Sequence, residues 1–156
     1  MNTATLSDAD LHKYAGEHIK YEVDMLVGAT VATPSNDWFL HCSRVEAFAI
    51  HLRNLITFFY PTPNQKPTDV YAQDYVLNRA NWNSTGRPLI PPELEDARNR
   101  AHREVGHLTT LRIAGTPAHK AWDMPGLIQK LKPTIMAFRV AADPNKLHPD
   151  TFVSVP

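Results

Sequence analysis

Apolar residues recur at every third or fourth position through four long stretches of the chain, and prolines separate the stretches. This is the period of an amphipathic α-helix. In the first stretch Ser7 is placed to cap a helix, with Asp8 and Asp10 complementing its positive end. Leu11, Tyr14, His18, Tyr21, Met25 and Ala29 form its stripe, widened by Ile19, Val23 and Leu26. It runs to about Ala32 and is stopped by Pro34. The second helix starts near Asn36 or Asp37 and ends at Tyr60, before Pro61. Its stripe is His41, Val45, Phe48, Leu52, Leu55 and Phe59, and Ala47, Ala49, Ile50, Ile56 and Phe58 leave little polar circumference. A helix that is apolar almost all round belongs in the middle of a fold.

The third helix has Pro91 or Pro92 in its first turn, a favoured place, and meets Gly115 as a C-cap after about Ala114. Its stripe is Leu94, Ala97, Ala101, Val105, Leu108 and Leu111. The fourth runs from Met124 to Ala142 with Ile128, Leu131, Ile135 and Phe138 inward. Pro133 lies inside it and is expected to kink or split it. Between the second and third helices, residues 61–68 read as a loop, and Thr68 is placed to cap a short helix over 69–77, with Val70, Ala72 and Val76 partly buried. Residues 78–91 read as irregular, pinned by Trp82, Leu89 and Ile90. The tail, HPDTFVSVP, reads as an extended strap. The pattern predicts an all-α, single domain over 1–156: an antiparallel four-helix bundle with a short extra helix and an extended C-terminal tail.

Composition agrees with a folded domain. Hydrophobic residues make up 43% and charged residues 21% of 156 positions, which argues against disorder. The formal net charge is zero, so no overall field draws the protein to nucleic acid or anionic lipid, and any such binding needs a local patch. The single cysteine, Cys42, cannot make an intrachain disulfide, which fits a reducing compartment. The N-terminus has neither a basic region nor an apolar run, and no stretch approaches the roughly 18 apolar residues of a membrane span. The expectation is a cytoplasmic protein with no membrane partner.

The segment RNRAHREVGHLTT, residues 98–110, carries three arginines and two histidines on one helix. Arg100 and His107 are seven residues apart, about two turns, so both leave from one flank, which also carries Glu104 and Leu111. Leu111 suggests that a neighbour covers this flank, and a second subunit would do so. Gly106 costs a helix about 1 kcal/mol relative to alanine, which is tolerated most readily where a backbone or ligand must approach. The same segment also reads as ordinary charge pairing: Glu93, Glu95 and Asp96 come first and Arg98, Arg100 and Arg103 later, with Asp96 and Arg100 in i,i+4 register. His102 points to the opposite flank. On the second helix Glu46 and Arg53 are seven apart, too far to pair directly at roughly 10 Å of rise, so each needs a partner elsewhere. Arg44 and His51 form a parallel row. Glu46, His51, Arg53 and Glu104 make up the supporting network, either holding helices in register or converging with His107 on a site.

Metal and nucleotide chemistry have little support. There is no HExxH, CxxC or Glu-x-x-His pattern, and His12 and His18 are six apart, unsuited to joint ligation. Asp69 and Asp74 would be the acidic contributors to any scattered site. Six glycines form no phosphate loop, and no Ser or Cys nucleophile has an evident partner. No cofactor is expected.

Arg100-AHREVG-His107 resembles the motif of the HEPN superfamily, small helical bundles many of which are metal-independent ribonucleases. The family often has a polar residue just after the arginine, where this chain has Ala101. The segments EAFAIHLRNLITFFY and VGHLTTLR are also similar to a family of uncharacterised small bacterial helical proteins. The first resemblance implies His107 as general base on an RNA 2′-hydroxyl and Arg100 as the stabiliser of phosphorane charge, with a homodimer bringing two pairs to one cleft. The other expectation is a non-catalytic bundle that works by contact with a partner protein, a small ligand or RNA.

Overall fold

The computed structural model describes residues 6–32, 36–64, 66–105 and 121–155. Among these residues the fold is all-helical. The sole β-type pairing is an isolated antiparallel bridge between Val76 and Ala142. Helix α1 (Asp8–Tyr14) continues through a π-turn (Ala15–Ile19) into α2 (Lys20–Val31). Helix α3 spans Trp38–Phe59. A 3₁₀ turn (Ala72–Asp74), the single turn α4 (Arg79–Asn81) and a second π-turn (Trp82–Gly86) lead to α5 (Pro92–Glu104) and then α6 (Met124–Ala141). Helix α2 packs mainly on α3, α3 on α5, and α5 and α3 on α6.

The helix starts follow the capping chemistry of the sequence. Ser7 accepts from the Asp10 N–H at 3.1 Å while Asp10 accepts from the Ser7 N–H at 3.0 Å, a capping box. Asp37 caps α3 through the Leu40 N–H, and Asp123 caps α6 through the Gly126 N–H. Pro133 does not split α6. Pro133 and Gln129 are both exposed, so the carbonyl left without an i+4 donor faces solvent. The continuation predicted for α5 beyond Val105, to Ala114 with Leu108, Leu111 and the Gly115 cap, lies outside the described residues.

The first stripe is the clearest departure. The buried line is Leu11, Ala15, Ile19, Val23, Leu26 and Ala29, whereas His18 and Tyr21 are exposed and Tyr14 and Met25 half-buried. Leu11 and Ala29 are buried as predicted, and so are Ile19, Val23 and Leu26, which widened the predicted stripe; the π-turn lies where the buried line passes from Ala15 to Ile19. The C-terminal segment packs on this turn: Thr151 donates to the Ala15 carbonyl at 3.3 Å, and a Cβ on Gly16 would come within 3.0 Å of the His148 ring. The tail is therefore a run of turns with Thr151 and Phe152 buried, not an extended strap.

Three other expectations are corrected. Residues 69–77 form one 3₁₀ turn instead of a helix. Asp74 accepts from the Tyr71 N–H at 2.9 Å and Tyr75 and Val76 turn into the core, so side-chain burial and a local carboxylate replace helical bonds. Leu89 is 93% exposed and pins nothing, while Trp82 is buried and Ile90 packs on the core. His41 is exposed and stacks on Trp38 in the first turns of α3, which project beyond the core.

The core centres on Phe138. Phe58, Phe59, Tyr75, Trp82 and Phe152 surround its ring at centroid distances of 5.5, 5.4, 6.3, 5.7 and 5.9 Å, all steeply inclined. Such edge-to-face pairs add to the burial of the rings themselves. Buried Ile128, Leu131 and Ile135 continue this layer along α6.

Candidate functional site

Several arginines hold the helices together, whereas Arg53 on α3 does not. Arg44 donates from Nε and Nη2 to the carbonyls of Ala29 and Thr30, at the end of α2. Arg87 donates to Phe59 O at 2.7 Å and Arg98 to Tyr60 O at 2.9 Å, both at the end of α3. Helix C-termini leave carbonyls without partners, and a guanidinium satisfies them while complementing the negative helix end. Arg98 also pairs with Glu95 at 2.6 Å.

Arg100 has a comparable role. Its Nε pairs with Glu104 at 2.8 Å, its Nη1 donates to the Ala121 carbonyl at 2.8 Å, and its guanidinium lies 4.4 Å from the Trp122 ring centre. Its partner is thus Glu104 instead of Asp96. Arg100 ties α5 to the residues that enter α6 and walls a small cleft of about 380 Å³ with Trp122, Lys130 and Glu93. Its Nη2 is buried and makes no hydrogen bond. His107, the other half of the motif, lies outside the described residues.

The second-helix residues separate. Glu46 is exposed, and no ion pair joins it to Arg53 among the described residues. His51 is buried and meets Glu22 of α2, with Nδ1 2.7 Å from Oε2. Asn54 donates to the same carboxylate oxygen at 3.1 Å. Two α3 side chains on one carboxylate fasten α2 to α3. Glu22 carried no signal in the sequence, because its partners lie 29 and 32 positions away.

Arg53 faces a cleft of about 1100 Å³ between α1–α2, α3, α5 and the loop that follows α3. Tyr14, His18 and Glu22 form one wall, Arg53, Asn54 and Thr57 the floor, Arg98, Asn99 and His102 the opposite wall, and Asp69 to Tyr71 the rim. Ile19, Leu55 and Phe58 supply apolar surface inside. Among the described residues the Arg53 guanidinium makes no hydrogen bond or ion pair, although the side chain is half-buried. Burial raises the pKa of Tyr14 above the ordinary phenol value, with Glu22 and Asp69 adding to the shift. Tyr71 is raised by burial and by its 3.0 Å bond to Asp69. Both phenols are neutral O–H donors at physiological pH.

The sequence expected Arg53 to have a partner on another element; among the described residues it has none and faces the cleft instead, which the sequence did not foresee. His18 and His102 were read as a weak ligand and a surface residue; both are exposed on this cleft. What brings them together is the π-turn and the crossing of α5 over α3, neither of which has a sequence signature in the individual residues. No group of three metal-ligating side chains occurs among the described residues, and none of their helices is long and apolar enough to cross a membrane. The described lining of the cleft offers hydroxyl, amide, imidazole and guanidinium groups for hydrogen bonding and charge complementarity. No family model matches this chain, nor does any curated protein or solved structure.

Proposed function

We propose that this chain is a non-catalytic helical domain that binds a small organic ligand in the cleft between α1–α2, α3 and α5. In this reading the long helices serve as the rods of a four-helix bundle whose frame holds the cleft. One observation carries the reading: a cleft of about 1100 Å³ with walls from three helical segments holds a half-buried arginine that has no ion-pair or hydrogen-bond partner among the described residues. Clefts of this size with a few convergent polar groups are where small ligands bind. An arginine with no partner among the described residues is available for a ligand.

The metal-independent ribonuclease reading asks more of Arg100. Its guanidinium would have to reach a phosphate while engaged by Glu104, Ala121 O and Trp122. Two assays separate the readings. A thermal-shift screen with small organic acids, amides and amines is expected to find ligands that raise Tm, since selective binding to the folded state stabilises it. RNA incubated with the protein in chelator is expected to stay intact. Chelator-resistant cleavage lost in His107→Ala, with the fold retained, would overturn the binding-module proposal in favour of the ribonuclease.

A further inference from the structure

We infer that the ligand of the large cleft is a small monocarboxylic acid with an apolar body, held through Arg53. This rests on the ligand-binding reading above and names the ligand's class. The charges around the cleft decide the class. Glu22 is engaged by His51 and Asn54, and Asp69 by the Tyr71 hydroxyl. Arg98 is engaged by Tyr60 O and Glu95. Arg53 alone among the cleft's described cationic side chains has no partner.

One guanidinium matches one carboxylate in a bidentate, planar arrangement. A dianionic phosphate would need a second uncommitted cation and would meet the carboxylates of Glu22 and Asp69. An amine would face Arg53 itself. The rest of the ligand meets Ile19, Phe58 and Val70, so its body is apolar. The neutral Tyr14 phenol can donate a hydrogen bond without adding charge, whereas the Tyr71 hydroxyl is already given to Asp69.

The test uses three probes of one shape: benzoate, benzamide and phenyl phosphate. Binding is followed by NMR shifts of the Asn54 and Asn99 side-chain amides, which report on the cleft. Benzoate is expected to shift both resonances and to bind about tenfold to a hundredfold more tightly than benzamide. Phenyl phosphate is expected to bind more weakly than benzoate. Arg53→Gln should reduce benzoate affinity to that of benzamide at an unchanged Tm. Equal binding of benzoate and benzamide, undiminished benzoate binding by Arg53→Gln, or tighter phenyl phosphate would overturn the carboxylate assignment and leave the ligand-binding reading standing. If no probe shifts the cleft resonances and the thermal-shift screen finds no ligand, both are overturned. Should Arg53→Gln fail to fold, Arg53→Lys replaces it. Lysine keeps the charge but loses the planar fork, so benzoate must weaken while benzamide does not; unchanged benzoate affinity overturns the proposal.

Discussion

Helix α3 serves two regions built on opposite principles. Toward α6 it presents Phe59, and with Phe58 it joins the rings around Phe138, where packing is mainly ring against ring and the Tyr75 hydroxyl is bonded to the Leu11 carbonyl. Toward α5 and the rim loop it presents Arg53, Asn54 and Thr57 to an open cleft. The first region gains stability from burial and excludes ligands. The second is polar and holds a charged side chain with no protein partner among the described residues. The difference shows that packing quality marks the scaffold, whereas an unpaired group in a polar recess marks the place to look for binding.

The largest expected effect lies in the aromatic region. Phe138→Ala removes a ring at 0% exposure in contact with five others and should cost about 3–5 kcal/mol in urea unfolding. A loss below about 1 kcal/mol would show that the rings tolerate a void and that the two regions do not differ in packing as described. Next come the two arginines of the cleft. Arg98→Ala strips the Tyr60 carbonyl of its donor and should cost about 1–3 kcal/mol, whereas Arg53→Ala should change stability by less than about 0.5 kcal/mol. Equal losses would place Arg53 in the structural network and remove the contrast.

A pH experiment separates the regions further. Burial holds the Tyr75 phenol far above its ordinary pKa, and Tyr60 is raised for the same reason. Folded values above the unfolded one mean that this contribution is complete below about pH 10 and is lost as pH rises further, because only the unfolded chain can ionise there. The urea midpoint should therefore fall in alkali, and less steeply in Tyr75→Phe. That variant also loses the bond to the Leu11 carbonyl, worth about 1 kcal/mol at neutral pH. An identical alkaline slope in wild type and variant would mean that Tyr75 is not held neutral by burial. The smallest effect is expected at a helix end distant from both regions: Asp123→Ala removes the α6 cap and should cost about 1 kcal/mol, detectable as a drop of about 2–4 °C in Tm.

Local chemistry made some of this legible in advance. The Ser7 and Asp37 caps, the inward line Ile128, Leu131, Ile135 and Phe138, and the all-helical class follow from residues near one another in the chain. Arg53 stood out because a charge on a largely apolar helix needs a partner. The resemblance motif pointed instead to Arg100, which is bonded to Glu104 and to the backbone before α6, while His107 lies outside the described residues. A short motif reports residue types and spacing, and those are the same for a reactive arginine and for one that clamps a helix junction.

The sequence by itself determined where the long helices begin, the inward line of α6 and that no intrachain disulfide or phosphate loop is available. Caps and periodicity act over a few residues, so they can be read along the chain. Tertiary structure decided the rest. Packing chose the Ile19, Val23 and Leu26 side of the first stripe over His18 and Tyr21. Glu22 met His51 and Asn54 across 29 and 32 positions, and the helix ends claimed Arg44, Arg87 and Arg98. Which arginine remained for a ligand was settled by where those carbonyls came to lie, a property of helices packed together that no single stretch of chain contains.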